Sequence, residues 1–493
     1  MKKKILLVSI ISLSLVCLFF NFGFAKWISL EENSKPFSGV TLRLIGESLP
    51  PLEGLEQVKH IFEEKTDIKV IIEMYGHEEV IAKTTADFVG KTGIYDVVLN
   101  PHREIGKIVE NNWVVPLENF YNDENLRDPE LDFEGMFLNE KWFNECCTYK
   151  DVVYSLPFHF ISMFMWYRYD IFEHPEERAN FKEKYGSELP SPPITMEDYL
   201  NTAEFFTRKK GEKLAGEILE KDFYGTAIQA ARHVATYYGW LNFLYSFGGR
   251  ELLTDKGSEY GKVVINSPEA IESLEYYKKL LQYSPPGCLT YTWDETQASQ
   301  QQGIVAQAIQ WDDATYAVED PTQSLVAGKM AFSGTPIKEV KMTQIEGWSM
   351  FIPRSSKKQE AAWLFIQWCM GEDSQIAQML TGGASAVRKT YDNEKIKKII
   401  YAPTALYLKS GEVIKTRKLG DKTGLGVPET FANAINPLTG DTTVTIVPKP
   451  TFPEQTWVVE KIELAVNSVL TGEKTAKEAL DWCQKEIEKE LPQ

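Results

Sequence analysis

The sequence predicts an α/β fold in two lobes, built on a doubly wound, mostly parallel sheet flanked by helices. Three observations lead there. Strand-like and helix-like patterns alternate from Val40 to Leu99 in the order β-α-β-α-β. The chain has 493 residues, beyond the ~250–300 at which a single core stops growing. Far from the first run, Gly347–Met370 again reads as a short apolar strand, a Pro-Arg-Ser-Ser turn and a helix.

The first segment reads as a secretory leader. Lys2, Lys3 and Lys4 precede Ile5–Phe20, a 16-residue run without a charge, and Gly23-Phe24-Ala25 supplies small residues at −3 and −1 of a cleavage site. Cleavage is expected after Ala25, with an uncleaved N-terminal anchor as the alternative. The apolar run is short against the ~20 residues of a comfortable span. Cys17 lies inside this run behind Val16, which does not suit a lipoprotein site. The mature chain then has 468 residues, and losing three lysines takes the formal charge from −17 to −20. So acidic a surface argues against nucleic acid and anionic membranes as partners.

Val40–Glu47 alternates Val40, Leu42 and Leu44 with Thr41 and Arg43, as a half-buried strand does. Leu55, Val58, Ile61 and Phe62 follow at helical spacing. Ile68–Met74 is a second β-branched strand, Val80, Ile81, Thr84 and Phe88 mark a second helix, and Tyr95–Leu99 is a third strand. In such sheets ligands bind outside the carboxyl ends of the strands. That rule nominates Gly46-Glu47-Ser48, Tyr75-Gly76-His77 and Asn100-Pro101-His102-Arg103. Within them Glu47, Asn100 and His102 are the expected contacts.

Tyr154–Pro157 reads as a strand leaving this lobe, and Phe181–Pro193 as an insertion dense in charge and proline. Ser267-Pro268-Glu269 starts a helix carrying Ile271, Leu274, Tyr277 and Leu281. Gln297–Gln302 fits a helix surface or a loop. In the second α/β unit Ser356 and Gln359 stand at capping-box spacing, and Ala362, Phe365, Ile366 and Cys369 form the apolar stripe. Thr475 and Glu478 cap a last helix through Leu480, Cys483 and Ile487. Five cysteines remain after cleavage, Cys146, Cys147, Cys288, Cys369 and Cys483, with no zinc spacing. They are expected to be structural or unpaired. The six histidines form no metal motif, and neither a metal nor a cofactor is expected.

The wording of several segments is less common than their physics. Gly347–Met370, with its Ile-Pro, Ser-Ser-Lys and Ala-Ala-Trp, resembles the extracellular solute-binding proteins of ABC importers, the maltose-binding-like carbohydrate and polyol group. Tyr154-Ser155-Leu156-Pro157-Phe158, the run from Met165 to Phe172, Pro193–Asp198, Phe247-Gly248-Gly249, Asn266–Ala270 and Ala327–Ala331 are similar to that family's motifs, in the same order. Arg168 stands for a usual Asn and Met196 for a usual Trp. The resemblance implies a type II periplasmic binding fold, with crossing strands and a ligand cleft between lobes. It also implies an N-lobe of about 36–153 plus 321–372 and a C-lobe of about 154–320 plus 373–493. It implies no catalysis, a periplasmic monomer, a small carbohydrate ligand (oligosaccharide or sugar alcohol), and membrane permease subunits as partners.

A sugar site needs aromatic faces for stacking and charged or amide groups for hydroxyl pairs, each buried bond to a charged group contributing about 1.5–3 kcal/mol. Gln310-Trp311-Asp312-Asp313 has both. Adjacent strand residues face opposite ways, so one aspartate is expected to meet the ligand and the other to cap a helix, with Asp312 as the contact. By the resemblance Trp348 borders the cleft, and Gly382-Gly383-Ala384-Ser385 with Arg388 is similar to a Gly-rich turn near the second hinge, making Gly383 and Arg388 candidates. Trp240 and Asn242 sit in the aromatic helix before Phe247 and complete the set. Two other readings stay open: a receptor for a peptide or polyamine, and a secreted glycoside hydrolase using two carboxylates. Gly-x-Ser-x-Gly and His-Glu-x-x-His are absent, and Gly90-Lys91-Thr92 lacks the first P-loop glycine, Thr85 standing there.

Overall fold

A computed structural model describes residues 27–133, 135–137, 140–253, 261–320, 322–381, 383–394, 405–407, 413–416, 445–447 and 452–491. The expected leader at 1–25 lies outside these. Among the described residues no helix is long and apolar enough to cross a membrane.

The predicted β-α-β-α-β run is observed. It consists of β1 (Thr41–Glu47), α1 (Pro50–Thr66), β2 (Lys69–Tyr75), α2 (His77–Gly90) and β3 (Val97–Pro101). Pro50 and Pro51 open α1, where a missing N–H costs nothing, and Asp67 ends it in the left-handed region at φ 55°. β1 pairs in parallel with both β2 and β3. The 14-residue β4 (Ser155–Arg168) then leaves this unit. It is followed by β5 (Tyr224–Ala227), α3 (Val234–Ser246), α4 (Trp293–Gln301), β6 (Val305–Trp311), β7 (Met330–Ser333), β8 (Met342–Phe351), α5 (Gln359–Trp368), α6 (Gln455–Leu470) and α7 (Ala476–Glu490).

The strands form one nine-stranded sheet, with main path β2-β1-β3-β8-β4-β6-β5. The outer strands on each side are parallel, and β8 and β4 run antiparallel through the middle. The early part of β4 pairs with β8, and its end pairs with β6 and β7. β4 therefore serves two hydrophobic cores. Leu156, Phe158, Phe164 and Trp166 belong to the first, and Ile161, Met163, Met165 and Tyr167 to the second. The two-residue alternation of strand side chains makes this division possible. The first core also takes in Ala384, Ala386 and Val387, which the sequence reading assigned to the C-lobe.

Local expectations can be checked against these elements. Ser267 Oγ accepts from Ala270 N (3.2 Å), and the capping box at Thr475 and Glu478 is formed. Gln297–Gln301 is helical, within α4, behind a second capping box at Thr292 and Glu295. The box expected at Ser356 is not formed. Lys358 is the N-cap of α5, and Ser356 Oγ instead donates to Asp96 Oδ1 (2.7 Å). Lys358 Nζ bonds the other oxygen of Asp96 (3.0 Å), so a buried carboxylate between β1 and β8 draws the serine away from the helix. All five described cysteines are buried.

His159 on β4 is fully buried opposite Trp348, and neither ring nitrogen has a hydrogen-bond partner among the described residues. Burial pushes its pKa down to about 3. Between about pH 6.5 and 3 the unfolded chain binds a proton there that the folded chain does not, so stability falls as pH falls. A His159→Leu variant is expected to lose less stability between pH 7 and 5 than the parent. Urea unfolding at both pH values checks this, and parallel losses would refute it.

Candidate functional site

A cavity of about 820 Å³ lies between the two cores. The first side of its wall is built by the carboxyl ends of the parallel strands. β1 brings Glu47, the β2–α2 turn brings Gly76 and His77, and β3 leads to Pro101 and Arg103. The opposite wall comes from Tyr238 of α3, Trp293 and Asp294 of α4, and Trp311 and Asp313 at the end of β6. Glu346 and Trp348 of the crossing strand β8 form the floor between them.

A hydrogen-bonded chain orders the first wall. Arg103 Nη2 can only donate, so His77 Nε2 (3.2 Å) must accept and His77 Nδ1 carries the proton. That Nδ1–H donates to Glu47 Oε2 (2.9 Å). Arg103 Nη1 reaches across the cavity to Tyr238 Oη (2.8 Å). Burial opposes the Arg103 charge, but Tyr238, Glu104 and Glu346 outweigh it and raise its pKa. The His77 ring also makes T-shaped contacts with Trp293 (5.5 Å) and Trp348 (5.4 Å), and Tyr238 packs on Trp311 at 5.4 Å. The two walls therefore touch directly at Arg103–Tyr238 and at His77–Trp293.

Of the residues nominated from sequence, Glu47, Trp311 and Trp348 line this cavity. The others do not. Asn100 is buried in β3, where Thr84 Oγ1 donates to its Oδ1 (3.3 Å). His102 points back to Gly347 O (3.3 Å) and Glu346 Oε2 (3.2 Å). Trp240 is in the second core with Nε1 on Ser273 Oγ (3.1 Å), and Asn242 bonds its own helix at Tyr238 O (3.2 Å). Gly383 lies behind the wall, where a Cβ would meet Pro51 Cγ at 2.7 Å. Arg388 turns to Phe137 O (3.3 Å).

The aspartate assignment is reversed. Asp312 and Asp313 open a short 3-10 turn after β6, and strand alternation no longer governs them. Asp312 Oδ1 accepts from Ser162 N (3.2 Å) beneath the wall, while Asp313 lines the cavity. The sheet-edge rule had reached the right loops for His77 and Arg103, but the choice within the second loop fell one residue short. Tyr238 lay in the aromatic helix already singled out. Trp293 had no signal beyond its type.

Burial, and next the charge of Glu47, pushes Asp313 up to about 7. Between its unfolded value near 3.8 and 7 the folded state holds the extra proton, so this group's contribution is lost as pH rises through 7. Asp313→Asn is expected to be the more stable protein at pH 8, with the advantage shrinking toward pH 4. Melting temperatures at both values test this, and a pH-independent difference would refute it.

With the geometry described, the chain can be set beside known proteins. A sequence profile for "Bacterial extracellular solute-binding protein" matches residues 57–403. The chain belongs to this family. Among solute-binding proteins, it is 21% identical over 384 residues to the erythritol/L-threitol-binding protein of Mycolicibacterium smegmatis, covering 73% of each chain. A ribitol-bound ABC transporter solute-binding protein from Agrobacterium radiobacter superposes with a TM-score of 0.69 at 26% identity, over 92% of this chain and all of that one. A maltose-bound protein of T. maritima, at 19% identity, shares the fold with a TM-score of 0.68 over 91% of this chain and 99% of that one. The two-lobed α/β architecture of a solute-binding protein is thus this chain's own, and its cavity is in the interlobe position.

Proposed function

We propose that this solute-binding protein captures a small polyhydroxylated solute, a sugar alcohol or an oligosaccharide, and hands it to an ABC permease. The observation that carries the reading is the interlobe cavity itself, where aromatic faces at Trp293, Trp311 and Trp348 stand among hydrogen-bonding carboxylates. Such walls suit apolar C–H faces and hydroxyl donors. The erythritol, ribitol and maltose bound by similar proteins point the same way.

The lobes in this reading are 36–153 plus 321–372 and 154–320 plus 373–493, with core packing adding Ala384–Val387 to the first. The solute shifts the population toward a closed form by touching both walls, and β4 and β8 act as the hinge. The pairing shift at Trp348/Ser349 is where the middle strands depart from regular register. The leader at 1–25 is removed, and the mature protein works as a monomer in the periplasm without a cofactor or catalytic step.

The test is thermal stabilisation across sugars, sugar alcohols, peptides and polyamines. A bound solute at 100 times its dissociation constant adds about 2.7 kcal/mol. Stabilisation by a carbohydrate recovered unchanged is the expected result. A response only to peptides or non-sugar polyamines would overturn the carbohydrate assignment, and consumption of the sugar would overturn the receptor reading.

A further inference from the structure

The cavity is rich in carboxylates and poor in cationic groups. Among the described residues its lining carries eight carboxylates against one guanidinium and two imidazoles. The guanidinium is already committed to Tyr238 and His77, and the His77 Nδ1 proton to Glu47. Little positive charge is left for an anionic solute. Asp313 is the sharpest case. It is 7% exposed, lines the cavity, and has no ion pair or hydrogen bond to another side chain among the described residues. Only the N–H groups of Asp313 and Ala314 support its carboxylate. Glu47 from the opposite wall and Asp294 from α4 act on it with the same sign.

Two carboxylates facing each other across a closing cleft repel unless a proton or a cation stands between them. No group of three or more His, Cys, Asp or Glu among the described residues is arranged to hold a metal ion. The same lining carries four large aromatic rings, with Tyr238 packed on Trp311 and with Trp293 and Trp348 against His77. Aromatic faces with carboxylates between them attract an organic ammonium through ring quadrupole and ion pair together.

We propose that the preferred solute carries a positive charge on its hydroxylated frame, as an amino sugar or amino polyol does, and that Asp313 receives the ammonium group. This rests on the solute-binding reading and narrows its ligand class. The Asp313 carboxyl, held near neutrality by burial and by Glu47, ionises fully when the ammonium arrives. Glu47 holds a hydroxyl on the facing wall.

The experiment is titration calorimetry of the purified protein with matched pairs: D-glucamine against D-glucitol, and the β-1,4-linked glucosamine disaccharide against cellobiose. At least tenfold tighter binding of an amine-bearing member is expected, and Asp313→Asn should shrink that ratio severalfold. Because the ratio is taken within one protein, a general loss of affinity in the variant does not mimic the result. Equal or tighter binding of the neutral members would overturn the charge assignment and leave the carbohydrate receptor standing. An amine preference unaltered in Asp313→Asn would overturn the role of Asp313. Binding of no member of either pair, with stabilisation by a peptide instead, would overturn both readings.

Discussion

Arg103→Ala is expected to lower the unfolding free energy by about 3–5 kcal/mol, the usual cost of breaking a buried charge network by removing one partner. Arg103 is 7% exposed, and its guanidinium holds Tyr238 and His77 by hydrogen bonds. Its Nε lies 3.8 Å from Glu104 Oε1. Without it, two buried carboxylates, Glu104 and Glu346, lose the charge of the guanidinium, Glu104 keeping Lys107 Nζ at 3.2 Å, and the Tyr238 hydroxyl loses its donor. The same deletion removes a direct bond between the two walls. A larger radius of gyration in small-angle scattering should therefore accompany the lost stability. Urea unfolding measures the first effect. A loss below about 1 kcal/mol would mean that the network contributes no more than an exposed ion pair.

Trp240→Ala is expected to cost a similar 3–5 kcal/mol, for a different reason. The ring is fully buried in the second core, and its Nε1–H bond to Ser273 would be lost with it. Large-to-small truncation there forfeits burial and leaves a void. Because Trp240 does not line the cavity, solute affinity should stay within a few fold of the parent once the variant is folded. Trp311→Ala is the contrasting variant, because that ring does form the wall. If Trp240→Ala abolished binding while its melting temperature stayed unchanged, the ring would belong to the site and not to the core.

Much of the first lobe was legible in the sequence. Alternation at Leu42 and Leu44 and helical spacing at Leu55 and Phe62 encode local periodicity, which the folded strands and helices keep. The rule that ligands meet the carboxyl ends of parallel strands then reached the loops that carry Glu47, His77 and Arg103 without knowledge of the fold's other half, although of these three residues only Glu47 was singled out. Capping boxes were readable where nothing competed for the cap, as at Thr475. At Ser356 a buried carboxylate 260 positions earlier, Asp96, competed successfully, and no local pattern records that contact.

The sequence by itself determined the class of fold, the elements in order and the loops that border the cleft, because those depend on side-chain period and turn chemistry within short windows. Only the tertiary structure decided which side chain in each loop enters the cavity. Arg103 rather than His102, and Asp313 rather than Asp312, line the cavity because each follows a strand into a 3-10 turn whose direction is set by packing against β4 and β8. Trp293 reaches the site because α4 from the second half of the chain is laid against the first lobe's His77, a contact between residues more than two hundred positions apart that no local pattern records.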